Sequence, residues 1–302
     1  RQDSAILQSA GKKQFLQRYE RLTDINEFIK FCRLPLRKSL RVNTLKTSTK
    51  RIKESFELEQ VPWCNDGFFV KGYAIGNSPE HFLGYIYIQE AASMIPPVVL
   101  DPKKGDIVLD MCSSPGSKTT QLAAMMENKG IIVANENSYQ RAKPLSINLE
   151  RLGVSNTIIT LMDGLWFKQS FDKILIDAPC SGMGAIRKSP ETPNIWNPNF
   201  IKKLANIQKR LIETGFKCLD EKGTLVYSTC TLEPEENEGV VNFLLSKYEN
   251  ARLEKISLKI NKSPAVLKFE GKEYDAEIEK CLRIFPQDND TEGFFVAKIS
   301  KA

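Results

Sequence analysis

Two cysteines stand in polar turns rather than in apolar runs. They are Cys180, within Asp177-Ala-Pro-Cys-Ser-Gly182, and Cys230, within Ser228-Thr-Cys230. A thiol in such a setting is open to chemistry, because its thiolate is a strong nucleophile and a competent leaving group. The ordinary state of a cysteine is that of a small buried hydrophobe, and Cys32, Cys64, Cys218 and Cys281 are read that way. A second constellation is Asp110-Met-Cys112-Ser113-Ser114-Pro115-Gly116-Ser117-Lys118. Here a strand end opens through small residues into a helix, so that backbone can approach a ligand closely. It is neither GxGxxG nor a Walker loop. Glu136 lies twenty residues after Gly116, the usual offset for a carboxylate that holds two ribose hydroxyls. Asp163, at the end of the following strand, is placed to accept from an adenine amino group. Singly, a Gly turn or a strand-end Asp is also an ordinary turn or helix cap. At three successive strand ends they fit a nucleoside.

The elements that must position these residues alternate. DIVLDMC (106–112), IIVANE (131–136), NTIITLMD (156–163), DKILIDAPC (172–180) and GTLVYSTC (223–230) read as strands. Helices are expected at 118–126, from Tyr139 to Leu152, at 200–219 and from Glu236 to Ser246, and LRIFP with GFFVAKI (282–299) reads as a closing hairpin. Repeated βα units predict an α/β fold with a mainly parallel, doubly wound sheet and an antiparallel hairpin at its end. Ligands of such sheets bind beyond the carboxyl ends of the strands, where Asp110, Glu136, Asp163, Asp177, Cys180 and Cys230 all fall. The strands that end in Cys180 and Cys230 are neighbours in such a sheet, so the two thiols and Asp177 should face one pocket. Before this region, 13–33 has helical spacing, SLRVNTL (39–45) and FFVKGYAI (68–75) read as strands, and 47–60 reads as a helix. That is a small α+β (RRM-like) module. QEAASMIPPVVL, from Gln89, reads as a helix that stops near Pro96–Pro97. The division is therefore 1–86 for a basic N-terminal module and 87–302 for a catalytic domain.

Charge separates the same two parts. Residues 1–53 hold fourteen Lys and Arg against four Asp and Glu, whereas the remainder holds 29 against 33. Lys12, Lys13, Arg18, Arg21, Arg33, Arg37, Lys38 and Arg41 suit a polyanion surface such as RNA phosphate; a solvated helix face is the plainer reading. Seven scattered cysteines without a CxxC pair, and a single histidine, His81, argue against a disulfide framework or a metal site and fit a reducing cytoplasm. No apolar run is long enough to cross a bilayer, and Arg1 to Ala10 lack a signal pattern. A cytoplasmic monomer that avoids membranes is expected.

With these residues in view, the chain resembles the Sun/Fmu (NOL1/NOP2/Sun-type) family of RNA cytosine-5 methyltransferases. The resemblance is carried by LRVNTLK (40–46), YIQEAASMIPP (87–97), DMCSSPGSKT (110–119), DAPCSGMG (177–184), YSTCTLEPEENE (227–238) and RIFP…GFFVAKI (283–299). The paired PC and TC cysteines are its specific part. DNA cytosine-5 enzymes have the first and lack the second, and amino-group methyltransferases carry Asn/Asp-Pro-Pro-aromatic where this chain has DAPC. The resemblance implies a Rossmann-like methyltransferase domain with S-adenosylmethionine held by 112–118, Glu136, Asp163 and Asp177, with Arg141 nearby. It also implies Cys230 as the nucleophile and Cys180 as the cysteine that helps release product. Many members read CAAPGGK where this chain has CSSPGSK, so Ser117 replaces a glycine whose backbone freedom the cofactor loop would use.

The implied chemistry needs these residue types. Carbon 5 of cytosine is a poor nucleophile until a thiolate adds at carbon 6. Asp177 is placed to bond or protonate N3 of the ring, with Lys118 to orient it or exchange its proton. The base must leave its stack to meet Cys230. Transfer RNA is the first expected substrate, because the chain lacks the long tails of many ribosomal members; ribosomal RNA is the alternative. A non-catalytic RNA-binding or assembly factor of the same fold would need none of Cys180, Cys230, Asp177 and Lys118.

Overall fold

The structure, a computed structural model, describes residues 10–72 and 75–302. The reading of the first nine residues, the Tyr73–Ala74 part of the expected strand and the side chain of Lys12 lie outside the described residues.

Helices α1 (Ala10–Tyr19) and α2 (Ile25–Arg33) come first. They are followed by β1 (Ser39–Val42), α3 (Thr49–Ser55), β2 (Leu58–Gln60), β3 (Gly67–Val70), α4 (Pro79–Phe82) and β4 (Ile86–Ile88). The four strands form an antiparallel sheet in the order β2-β3-β1-β4. With α3 and α4 this is the β-α-β-β-α-β arrangement, as the RRM-like expectation requires. Leu40, Val42, Phe68, Val70 and Ile86 bury one face of the sheet with Ile52 of α3. The expected 39–45 strand stops at Val42, because the Asn43 side chain turns the chain by donating to the Gly84 and Leu152 carbonyls, each at 2.8 Å. The expected 47–60 helix ends at Ser55, and Leu58–Gln60 instead pairs with β3.

Residues 89–100 correct a second expectation. No helix runs from Gln89 to a stop at the prolines. A 3₁₀ turn, Ala92–Met94, leads into α5 (Ile95–Leu100), and Pro96 and Pro97 occupy its first turn. Proline starts a helix without cost there, since the first backbone N–H groups have no intrahelical acceptor.

The large sheet is built from β5 (Ile107–Asp110), α6 (Ser117–Met125), β6 (Ile131–Glu136), α7 (Tyr139–Leu152), β7 (Thr157–Leu161) and β8 (Phe171–Asp177). It continues with α8 (Thr192–Ile195), α9 (Pro198–Lys217), β9 (Leu219–Thr229), α10 (Glu238–Lys247) and β10 (Ala251–Glu254). A small hairpin, β11 (Lys268–Phe269) with β12 (Lys272–Glu273), precedes β13 (Leu282–Ile284), α11 (Pro286–Asn289) and β14 (Phe294–Lys301). The strand order is β10-β14-β9-β8-β5-β6-β7, with β13 also on β14. β5 to β9 pair parallel, and β14 runs antiparallel to β9, β10 and β13. Alternation along each strand feeds two cores. Ile174, Ile176, Leu225 and Tyr227 face α9 residues such as Leu211 and Phe216, whereas Leu175 and Val226 face α5 and α6 residues such as Val99 and Leu122. Both faces being covered explains why these strands read as continuous apolar runs. Chain order reverses at β5, whose neighbours are β6 and β8, so a crevice opens there beyond the strand ends.

α1 and α2 do not pack on the small sheet. Phe15, Tyr19 and Phe28 cluster with Met183 and Ile186, which follow Cys180, with Leu232, which follows Cys230, and with Phe285, which follows β13. Arg18 is buried there, bonded to Glu233 at 2.8 Å, Glu235 at 2.5 Å and Glu270 at 2.7 Å. Arg41 is 1% exposed and donates to Gln89 Oε1 at 2.9 Å and Thr120 Oγ1 at 2.8 Å. Neither arginine presents its charge to a polyanion, which corrects the expectation for both. Their charges are spent on internal acceptors that tie the N-terminal elements to the catalytic ones. Arg37 stacks on Phe69 and pairs with Glu59 at 2.5 Å.

Candidate active site

Asp177 ends β8 and Thr229 ends β9, and the two strands pair parallel with Asp177 opposite Ser228. The segments that leave them therefore start side by side. Gly184 locks them together: its N–H donates to the Cys230 carbonyl at 2.9 Å, and its own carbonyl accepts from Gly293 N–H at 3.0 Å. A Cβ there would meet the Gly293 and Cys230 carbonyl oxygens at 2.4 and 2.7 Å, so only glycine permits the approach. The result is a Cys180 Sγ to Cys230 Sγ distance of 3.3 Å. Both thiols are half-buried and free. The hydrogen bond to Cys230, with burial behind it, holds the Cys180 thiol well above the ordinary thiol range. The Cys180 thiol therefore resists losing its proton.

Beneath Cys180 a carboxyl organises the loop. Glu236 Oε2 accepts from Ser181 N–H at 3.0 Å and from Gln208 Nε2 at 2.8 Å, and its Oε1 bonds the Ser181 hydroxyl. Burial pushes Glu236 up to about 7, against the pull of these donors.

Lys118, in the first turn of α6, donates to Asp177 Oδ2 at 2.6 Å and to Ser93 Oγ at 3.1 Å. Ser228 Oγ donates to Asp177 Oδ1 at 2.8 Å. Burial alone would depress the lysine, but the Asp177 charge more than reverses this and raises its proton affinity. Lys118, Asp177 and Cys230 line one cavity of about 340 Å³, together with 112–115, Ser117, Asp110 and Phe294.

Cys112 to Pro115 and Ser117 line this cavity, whereas Gly116, Glu136, Arg141 and Asp163 lie outside its lining. Gly116 caps α6 at φ 99°, a left-handed conformation that favours glycine. Ser117 is the first helical residue and is not among the described positive-φ residues. The departure from CAAPGGK thus imposes no backbone strain. Asp110 Oδ2 accepts from Thr119 Oγ1 at 2.7 Å, while its Oδ1 is buried without a hydrogen-bond partner in the protein. Burial pushes Asp110 up to about 7, although the Thr119 bond opposes the shift. Glu136 is buried at the end of β6, accepts from Ser138 N–H at 3.0 Å and lies 3.7 Å from Arg141. Arg141 also accepts from Ser114 Oγ through its carbonyl at 2.7 Å. Asp163 is exposed and caps a 3₁₀ turn through Leu165 N–H at 3.0 Å, so its plainer reading is realised in the structure. An orphaned buried acceptor, a glycine cradle at a helix start and a carboxylate at the next strand end fit a nucleoside carrying a cationic amino-acid tail.

Ser228 stands in the Ser228-Thr-Cys230 turn read from the sequence without a role of its own, whereas Ser93 and Glu236 were not singled out. The only signal for Glu236 was its place in TLEPEENE, and Ser93 and Ser228 become site residues only through tertiary approach.

Comparison with known proteins accords with this geometry. Residues 97–300 match the family described as 16S rRNA methyltransferase RsmB/F, and residues 12–91 match the N-terminal domain of 16S rRNA methyltransferase RsmF. The chain is 48% identical over 299 residues to a tRNA (cytosine(49)-C(5))-methyltransferase of Pyrococcus abyssi, covering 96% of each chain. It is 42% identical over 315 residues to ribosomal RNA small subunit methyltransferase F of Aliivibrio fischeri, covering 99% of this chain but 65% of that one. The crystal structure of NSun6 from Pyrococcus horikoshii with SFG, an S-adenosylmethionine analogue, superimposes with a TM-score of 0.83 at 26% identity over 95% of this chain and 97% of that one. With its α/β sheet, its cysteine pair and its cofactor loop, this chain belongs to the RsmB/F (Sun/Fmu) family of S-adenosylmethionine-dependent RNA methyltransferases.

Proposed function

We propose that the protein methylates carbon 5 of cytosine in RNA, with Cys230 as nucleophile and transfer RNA as substrate. The observation that carries the chemistry is the meeting of Cys180, Cys230, Asp177 and Lys118 at one end of β8 and β9. When bound against 112–118, Glu136, Asp163 and Asp177, with Arg141 beside them, S-adenosylmethionine supplies an electrophilic methyl group. Cys230 Sγ adds to carbon 6 of the ring. Asp177, oriented by Lys118 and Ser228, takes a proton from Lys118 and passes it to N3, which neutralises the electron density that the addition sends into the ring. Carbon 5 then takes the methyl group, water removes the carbon-5 proton, and its electron pair restores the 5,6 double bond as the Cys230 sulfur leaves. Cys180 holds its proton beside that sulfur and assists its departure.

Transfer RNA is favoured because the relative named for it is 48% identical, against 42% for the Aliivibrio ribosomal enzyme; this chain spans 65% of the latter's length. Ribosomal RNA is the second reading, supported by the name of the matching family. Bisulfite sequencing of transfer and ribosomal RNA incubated with enzyme and S-adenosylmethionine decides between them. A new protected cytosine only in ribosomal RNA would overturn the first choice, and none in either would overturn the activity. The N-terminal module, read as residues 1–86, supplies backbone contacts, with Arg37 and Lys38 bordering a groove of about 400 Å³ that reaches Glu90 and Lys188. No helix among the described residues is long and apolar enough to cross a membrane, and the enzyme is read as a cytoplasmic monomer.

A further inference from the structure

Two carboxyl groups border the catalytic cavity outside the machinery above. Glu90 follows β4 and Glu292 precedes β14, and both line the cavity that holds Cys230. Glu90 Oε1 accepts from Glu292 N–H at 3.2 Å, and its Oε2 accepts from Ser93 N–H at 3.1 Å. Glu292 is 7% exposed, and its Oε1 has no hydrogen-bond partner in the protein. Burial, reinforced by the neighbouring Glu292 charge, pushes Glu90 up to about 7. Burial also raises Glu292, against the pull of Lys188 and Arg187. A residue that lines the cavity thus carries a buried acceptor without a donor. A phosphate would be repelled by such a pair, whereas a ligand hydroxyl would satisfy it.

The position of the pair identifies the hydroxyl. The groove bordered by Arg37, Lys38 and Lys188 adjoins the catalytic cavity, and Ile88, Gln89, Glu90 and Lys188 line both. A base delivered to Cys230 occupies the first space, and the basic groove suits its phosphate. The junction between them is where the sugar of that nucleotide must lie. We propose that the unpartnered Glu292 carboxyl, set in place by Glu90, accepts the hydrogen bond of the ribose 2′-hydroxyl of the target nucleotide and so selects RNA over DNA. The inference rests on the cytosine-methyltransferase reading above. The 2′-hydroxyl is the group that distinguishes RNA from DNA at a given site. A site built to bond a hydroxyl rejects the analogue that lacks it, because its buried acceptor is left unpaired.

The test uses two RNA oligonucleotides that differ only at the target, cytidine in one and 2′-deoxycytidine in the other. Each is assayed with the wild-type enzyme, Glu90→Gln and Glu292→Gln. The wild type should favour cytidine about ten- to a hundredfold in kcat/KM. Each variant should lose rate on cytidine while staying within about threefold of wild type on deoxycytidine, so that the preference collapses. Unchanged S-adenosylmethionine affinity shows that each variant is folded, and the two residues lie on separate segments, so one misfolded variant leaves the other as the test. Equal wild-type rates on both oligonucleotides overturn the inference and leave the methyltransferase reading standing. So does a wild-type preference retained in the variants, whatever their absolute rates. A wild-type enzyme that methylates neither oligonucleotide overturns that reading, and this inference with it.

Discussion

Lys118 Nζ lies 2.6 Å from Asp177 Oδ2, which joins the first turn of the cofactor helix to the end of the strand that leads to Cys180. The lysine side chain is 9% exposed and the aspartate 29%, so each is the other's main compensation for lost water. Asp177→Asn should abolish methyl transfer and leave Lys118 short of a counter-charge, costing about 1–3 kcal/mol of stability. Denaturant melts with a methylation assay check this. Full activity in the asparagine variant would remove Asp177 from the chemistry.

Glu136, proposed to hold the cofactor ribose, accepts from Ser138 N–H and lies 3.7 Å from Arg141. Glu136→Ala should raise the S-adenosylmethionine dissociation constant about ten- to a hundredfold, the worth of a charged hydrogen-bonding group. Calorimetry at wild-type affinity would exclude the ribose role.

Glu236 makes stability depend on pH in a stated direction. Its carboxyl is pushed from 4.5 to about 7 by burial, so the folded state holds a proton that the unfolded chain releases earlier. Stability is therefore full at low pH, falls as pH rises from about 4.5 to about 7, and is flat above that. Denaturant titrations at pH 5 and pH 8 should show Glu236→Gln losing about 1–3 kcal/mol less than wild type across that window. Equal losses would mean that the carboxyl does not carry the proton.

Arg41 and Arg37 should separate two functions. Arg41→Met breaks bonds to Gln89 and Thr120 inside the protein and should cost about 2–4 kcal/mol without changing the salt dependence of RNA binding. Replacing Arg37 and Lys38 with alanine should instead weaken RNA binding and flatten its salt slope. An unchanged slope in the double variant would end the phosphate role of this edge.

Much of the catalytic half was legible because its central strands are buried on both faces and its helices α7 and α9 are long. α7 begins and ends at Tyr139 and Leu152, as its spacing predicts. Elements whose identity depends on pairing were not legible. β4 and β10 are strands of three and four residues, too short for a period, and Pro96–Pro97 looks the same in sequence at either end of a helix. The cysteine turns were visible because polar turns are unusual places for thiols. The burial of Arg18 and Arg41 was invisible, since a count of charges carries no information about partners 215 and 79 positions away along the chain. Glu90 and Glu292 were passed over for the same reason, because neither lies at the end of a parallel strand.

The two sulfurs, 3.3 Å apart, are proposed to divide the labour, Cys230 as nucleophile and Cys180 in its release. That division is tested most directly by incubating labelled target RNA and S-adenosylmethionine with Cys180→Ala and with Cys230→Ala, followed by a denaturing gel on which a covalent adduct migrates as protein plus RNA. Cys180→Ala should accumulate adduct, because departure of the Cys230 sulfur is no longer assisted, and Cys230→Ala should form none and transfer no methyl group. Adduct in Cys230→Ala with none in Cys180→Ala would contradict the account by exchanging the roles, and full turnover in both variants would reduce the pair to packing.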